Sequence, residues 1–285
     1  MSLAGLALVL AAALCHATWN VCLKKVNAGP ELVWLFSILS VVIYAPLALW
    51  VIVAQAPRFG PPELLFLIGS TALHMAYFLL LQTGYRKGDL SVVYPIARAT
   101  GPLLSTGFAI AVLGETISPQ MALGAAVIVS GVVMLSGGLK IRGRQALVSL
   151  GFGLAAGGLI GSYTVWDAYS VSVVMISPLL LDYVSSAART VLLTPLALRR
   201  RVALRATWAT HRGAVLAIAV FNPLAYILVL YAMTFTPVAY VAPVREVSVV
   251  LTVLAGSLIL GEGHLRRRAG WAVVIVAGMA LLVTG

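Results

Sequence analysis

Residues 98–135, RATGPLLSTGFAIAVLGETISPQMALGAAVIVSGVVML, return 147 positions later as residues 245–282, REVSVVLTVLAGSLILGEGHLRRRAGWAVVIVAGMALL. Aligned without a gap, 12 of the 38 positions are identical. Matches among Ala, Val and Leu carry little weight, and chance supplies about half as many in so biased a composition. Others are informative: Arg98 with Arg245, the Leu-Gly-Glu runs at 113–115 and 260–262, and Gly131 with Gly278. The same shift sets Trp19 on Trp166 and Asn20 on Asp167. The chain therefore reads as a duplication, with a first half at 1–142 and a second at 143–285.

Both copies of the repeat are apolar, and so is the rest of the chain. Hydrophobic residues make up 61% and charged residues 9%, where a soluble domain carries about 25% charged residues. About 20 apolar residues cross a hydrocarbon core. Runs of that kind lie near 3–23, 32–54, 63–85, 90–113, 118–139, 146–168, 173–198, 213–234, 237–260 and 265–284. The separations at 169–172 and 235–236 are the narrowest in this count.

The net charge is +11. In a soluble chain that excess would point to nucleic acid, but here the basic residues sit in short loops, so a membrane surface and its lipids are the expected partner and nucleic acid is not. Assigned alternately to the two faces, 15 of the 19 Lys and Arg fall on one face, Arg58 alone on the other, and Arg98, Arg189 and Arg245 inside spans. The positive-inside rule makes the basic face cytoplasmic and sets both termini outside. Five helices per half is an odd number, so the second half must be inverted. The 2–3 loop carries one basic residue while its counterpart, the 7–8 loop, carries five arginines. The expected fold is an all-α membrane protein, ten transmembrane helices in two inverted five-helix repeats. Secondary transporters use that plan and bind substrate near the midplane; a purely structural duplication is the alternative.

Cys15 and Cys22 lie seven apart in one apolar run. They form no disulfide framework and match no zinc spacing, so they read as packing residues. No cofactor, metal or Walker motif is legible, which excludes ATP as the driver. The first apolar run lacks a preceding basic residue and reads as a span rather than a cleaved signal.

The Leu-Gly-Glu endings and the helices after them, 121–139 and 268–283 with Gly131 and Gly278, resemble the drug/metabolite transporter superfamily, EamA type. The stretches 88–98, GDLSVVYPIAR, and 242–250, APVREVSVV, with 15–20, CHATWN, look like one bacterial branch of it. The resemblance implies two inverted five-helix halves and alternating access. It also implies an inner-membrane location and a cavity lined by the first, third, fourth, sixth, eighth and ninth helices. Members carry cargo as different as amino acids, phosphorylated sugars and drugs, so substrate does not follow from it.

Ionisable groups inside a bilayer are functional candidates by default. Arg98 lies about 14 Å from the cytoplasmic side and Arg245 about 12 Å from the outer side at 1.5 Å per residue. In a core about 30 Å thick the two depths nearly coincide. Two guanidiniums related by the repeat suit one anion; alternatively each is pinned by a structural carboxylate. Glu246, adjacent to Arg245, does not face it on a helix. Pro95, Pro102 and Pro243 mark kinks that either frame a site or serve packing. Trp19 with Asn20 and Trp166 with Asp167 are pocket walls or gates, or else interfacial anchors. His16, His74 and Glu246 are the expected proton carriers, with packing histidines as the alternative. Tyr77, Tyr94, Asn222 and Tyr226 are polar groups that either bind substrate or bridge helices. Asp182 and Arg189, two turns apart, suit a structural or dimer role through a shared neighbour. Glu115 and Glu262 are expected to cap the helices that follow them.

The function expected from these residues is secondary transport of a small anionic or zwitterionic metabolite, amino-acid-like or an organic acid, outward rather than inward, by a monomer or homodimer. An exporter of cationic or amphipathic drugs, a lipid-handling membrane protein and a structural subunit are the competing readings. An enzyme is not expected, because no nucleophile–base or metal-ligand spacing is present.

Overall fold

The computed structural model describes residues 1–26, 28–57, 59–87, 90–135, 143–259 and 265–285, and among these there is no strand. The helices are α1 (Leu3–Val26), α2 (Pro30–Gln55), α3 (Pro61–Lys87), α4 (Leu90–Leu113), α5 (Pro119–Leu135), α6 (Gly143–Ser172), α7 (Pro178–Arg199), α8 (Arg201–Met233), α9 (Val238–Arg245), α10 (Val247–Ile259) and α11 (Leu265–Thr284). The helices α1, α2, α3, α4, α6 and α8 contain stretches long and apolar enough to cross a membrane by themselves. Val53, Ile68, Val191 and Val273 are each more than 60% exposed. Such side chains on the outside of a bundle fit a lipid surround, in which the backbone must satisfy itself within each helix.

Both narrow separations hold, since α6 ends at Ser172 before a turn to Pro178, and α8 ends at Met233 before α9. Two differences from the sequence reading matter. The ninth apolar run is not one helix: it divides at Glu246 into α9 and α10. Pro243 brings no N–H to the carbonyl four residues back and crowds it, and the chain takes a turn there, with Glu246 N–H donating to the Pro243 carbonyl at 3.0 Å. The basic stretch expected as the 7–8 loop is mostly helix. α8 already begins at Arg201 and kinks at His211, whose φ is −128° and ψ 24°. The turns before the kink expose Val202, Arg205 and Trp208. An amphipathic basic segment with a tryptophan suits the membrane interface.

The helices pack in pairs related by the 147-residue shift. α3 and α4 lie on α6, while α8, α9 and α10 lie on α1; α2 meets α7 and α5 meets α11. At the α5–α11 contact the relation is reciprocal. Gly131 faces Ile275, and Gly278, its repeat counterpart, faces Ile128, the counterpart of Ile275. Between α4 and α6 a stripe of Gly153, Gly157 and Gly161 lies against Ile96, Thr100 and Leu104, so the two backbones approach closely. Small residues at intervals of four permit such approach between membrane helices. In this register Arg98 on α4 lies level with Ala155 on α6, and Tyr163 lies about two turns further along α6.

Gly124 gives the tightest test of the α5–α11 pair. A Cβ there would lie 2.6 Å from the backbone N of Leu282 and 2.8 Å from the carbonyl of Gly278. Backbone cannot rotate away, so Gly124→Ala is expected to cost about 1–3 kcal/mol, read as a lowered melting temperature in detergent. Gly107→Ala, with nothing within 4 Å, is the control that leaves melting unchanged.

Candidate functional site

Side chains from α1, α3, α4, α6, α8 and α9 converge between the halves, the six helices expected to line a cavity. They form two poles. At the first, Arg98 reaches from α4 to the break between α9 and α10, where its Nη2 lies 2.8 Å from Glu246 Oε2 and 3.5 Å from Ser248 Oγ. Glu246 is 1% exposed and the Arg98 side chain 21%. The broken helix makes the pair possible. Arg245 is the last residue of α9 and Glu246 sits in the turn, from which its carboxylate meets Arg98 of the other half.

Arg245 is 4% exposed. Its Nε and Nη2 are buried and have no hydrogen-bond partner among the described residues. These two nitrogens form one edge of the guanidinium, the edge that takes a carboxylate with two parallel bonds. His16 on α1 lies within electrostatic reach of both arginines. Its Nδ1 accepts the indole N–H of Trp19 at 3.0 Å. The imidazole proton of neutral His16 is then on Nε2, which is also buried without a partner. Among the described residues, Arg245 thus presents Nε and Nη2, and His16 presents Nε2, as buried donors without a partner.

The second pole is Asp167, fully buried on α6. Its Oδ2 lies 2.8 Å from His74 Nε2 on α3 and accepts the Tyr226 hydroxyl from α8. Its Oδ1 is buried and unpartnered. Tyr163 lies between the poles, within electrostatic reach of Arg98, Arg245, Asp167 and Glu246. It stacks on His74 with ring centroids 4.2 Å apart and meets Tyr77 edge-on at 5.6 Å.

Of the residues singled out from the sequence, Arg98, Arg245, Glu246, His16, His74, Asp167, Tyr77 and Tyr226 thus belong to one assembly. The others stand differently. Trp19 orients His16. Asn20 donates to the His16 carbonyl at 2.7 Å, a bond within its own helix. Trp166 donates to the Phe66 carbonyl at 2.9 Å and packs over Gly69, and it lines an apolar recess of about 380 Å³ with Phe66, Phe108 and Tyr169. Asn222 is half-buried on α8, one turn before Tyr226. The side chains of Tyr94 and Pro95 lie outside the described part. Arg189 Nη2 donates to Ser186 Oγ at 3.0 Å, and Asp182, one turn before Ser186, lies within electrostatic reach of Arg189; α7 packs on α2, α3 and α8. Sequence reading passed over Tyr163, although the repeat shift marks it as the counterpart of His16.

Glu115 corrects an expectation. It does not cap α5, whose first turn is held by Ser118 Oγ accepting from Met121 N–H at 3.1 Å. Its carboxylate instead accepts the N–H groups of Val238 and Ala239, at 2.7 and 2.9 Å, across the molecule. The Leu-Gly-Glu run explains this geometry. Gly114 ends α4 with φ +68°, a conformation open to glycine at little cost. Glu115 N–H then bonds back to the Ala109 carbonyl. Its side chain is thereby aimed at the start of α9, whose N-cap, Pro237, has no side-chain acceptor of its own. Glu262, the repeat counterpart, lies outside the described residues. Glu115→Gln is expected to lose about 1 kcal/mol of α9 anchoring, measured as faster amide exchange at Val238 and Ala239.

The described residues hold no group of three or more His, Cys, Asp or Glu that fits a metal.

No curated protein sequence matches the chain. A crystal structure described only as that of a protein superposes with a TM-score of 0.72 at 16% identity, over 97% of this chain and 98% of that one, which shows the fold. The model of the EamA-like transporter family matches twice, at residues 3–137 and 148–284. The chain therefore belongs to the EamA-like transporter family, a multi-pass membrane transporter built from two copies of the family's unit.

Proposed function

We propose that this transporter is a secondary exporter of a small carboxylate-bearing metabolite, anionic or zwitterionic, and that it works by alternating access at the site between its halves. The observation that carries this reading is the buried, unpartnered Nε–Nη2 edge of Arg245. An arginine buried without a partner is costly unless something else completes it, and a carboxylate fits that edge. Arg98 adds a second guanidinium whose present partner is Glu246. The reciprocal packing of Gly131 and Gly278 supports two halves related by a twofold axis. With an odd number of spans in each, that axis lies in the membrane plane and the second half is inverted. A cation-only cargo is disfavoured because it leaves Arg245 bare.

The test is counterflow into proteoliposomes with labelled amino acids, organic acids and sugar phosphates. Uptake of a carboxylate class that Arg245→Ala abolishes supports the reading. Uptake that survives in Arg245→Ala and Arg98→Ala, with both variants folded, removes the arginines from the site. Sidedness has its own test. In a background with Cys15→Ser and Cys22→Ser, both Ser2→Cys and Thr284→Cys are expected to react with an impermeant maleimide on intact spheroplasts. Protection of both until lysis would reverse the orientation.

A further inference from the structure

α8 is longer than a membrane crossing needs. Its 33 residues reach about 50 Å at 1.5 Å per residue, against a hydrocarbon core of about 30 Å. The part from 213 to 233 fills that core by itself. The turns at 201–212 therefore lie beyond it, set off by the kink at His211, at the depth of the lipid headgroups. We propose that these turns form a binding surface for acidic phospholipids, with Arg201, Arg205 and Arg212 holding the headgroup phosphates. The surface lies apart from the site between the halves and is independent of the cargo.

Helical spacing builds the surface. Arg201, Arg205 and Trp208 are four and three residues apart, so they share one face. Arg212, four further on, continues it past the kink. All four side chains are exposed. One flank of this stripe is Leu204, which packs against the buried cluster of Val26 and Leu32 from α1 and α2. The other flank is apolar and open, with Val202 78% exposed in line with Ala206 and Ala209. A helical segment held on the bundle by one edge and apolar along another lies in the plane of the interface, and its arginines then stand among the phosphates.

Charge names the occupant. The neighbouring Arg200 is already engaged: its Nη1 lies 3.2 Å from Oε2 of Glu31, whose Oε1 accepts the Gly29 N–H. That pair fixes the junction of α7 and α8 to the start of α2. Among the described residues no carboxylate pairs with Arg201, Arg205 or Arg212. Lys25, exposed beside Val26 at the end of α1, adds to the positive field. An acidic lipid supplies the missing charge at this depth, and a guanidinium takes a phosphate with two parallel bonds. A nucleic acid or an acidic protein would meet the same arginines but leave Val202 and Trp208 uncovered, so the membrane is favoured. The anchored turns are also the root of the helix that brings Tyr226 to Asp167.

The experiment is titration of the purified full chain in detergent with palmitoyl-oleoyl-phosphatidylglycerol, with palmitoyl-oleoyl-phosphatidylcholine as its neutral match. Bound lipid is counted by native mass spectrometry and its effect read as melting temperature. Phosphatidylglycerol is expected to bind at least about tenfold more tightly, to raise melting, and to bind less well in high salt. Each arginine near a membrane surface strengthens binding about fivefold. Arg205→Gln is thus expected to lose about fivefold, and Arg201→Gln, Arg205→Gln and Arg212→Gln together about 100-fold. The corresponding triple change to lysine keeps the charge and is expected to stay within about tenfold of wild type. Should the triple glutamine variant fail to fold, Arg205→Gln, a change of one exposed side chain, locates the surface by itself.

Equal binding of the two lipids overturns the proposal. So does a folded triple glutamine variant, or Arg205→Gln, that binds phosphatidylglycerol as wild type does. Displacement of the lipid by millimolar inorganic phosphate would mark a site for a free anion, and displacement by a short single-stranded oligonucleotide a surface for a polyanion in water; either result also overturns it.

Discussion

Glu246→Ala is expected to lower stability by about 3–5 kcal/mol, because it leaves the Arg98 guanidinium without its carboxylate inside the bundle. Glu246 is among the least exposed charged groups of the chain, and its ion pair joins α4 of one half to the break between α9 and α10 in the other. Its loss also places two guanidiniums near one another with no negative charge between them. Thermal melting in detergent measures the effect. Glu246→Gln keeps volume and one acceptor and is expected to fall between wild type and alanine. The double change Arg98→Met with Glu246→Leu removes both charges and is expected to recover most of the lost stability, since well-packed apolar replacements of a buried ion pair are often neutral or better. Transport is not expected to return with it. A Glu246→Ala protein that melts like wild type would show that the pair contributes nothing to the fold.

Arg245→Ala has the opposite signature. Arg245 gives its open edge to no described residue, so its removal is expected to leave melting unchanged or raise it. Transport is expected to fall by about two orders of magnitude or more, because each hydrogen bond to a charged group contributes about 1.5–3 kcal/mol and the fork makes two. Arg245→Lys keeps the charge but offers a point rather than a planar edge, so it is expected to retain a small fraction of activity with weakened apparent affinity. Counterflow rates set beside melting temperatures separate the cases. A stable, inactive protein marks a binding residue, whereas an unstable, inactive one marks a structural residue. The two arginines, equivalent under the repeat, are expected to divide in this way, Arg98 bearing on the fold through Glu246 and Arg245 on the cargo.

Why equivalent residues differ is not legible in the repeat. Arg98 and Arg245 align, but the residues after them, Ala99 and Glu246, do not. The carboxylate of the second copy crosses to serve the arginine of the first. Helical periodicity set Arg245 and Glu246 on different faces of one helix, but the run breaks at Glu246, and periodicity named no partner for either. Asp167 and His74 were each visible as rare polar groups in apolar runs. Their contact joins residues 93 positions apart, and no spacing rule reaches that far. Tyr163 was missed although Tyr77, Tyr94 and Tyr226 were singled out, because the one signal that marks it is the repeat shift that sets it on His16. Glu115 was assigned to the nearest helix start, whereas Ser118 already fills that role and the carboxylate bonds a helix more than a hundred residues away.

The sequence by itself determined the membrane environment, the duplication, the approximate limits of the apolar runs and the short set of groups able to carry chemistry. Those features follow from composition and period, and lipid forbids most other arrangements of so apolar a chain. Tertiary structure alone decided the break at Glu246, the pairing across the halves, the destination of Glu115 and which polar edges stay open. Each depends on how closely two helices approach, and glycine contacts such as Gly157 against Thr100 and Gly124 against Leu282 set that approach. Hydrogen bonds form or fail over a few tenths of an ångström, a scale on which residue spacing carries no information.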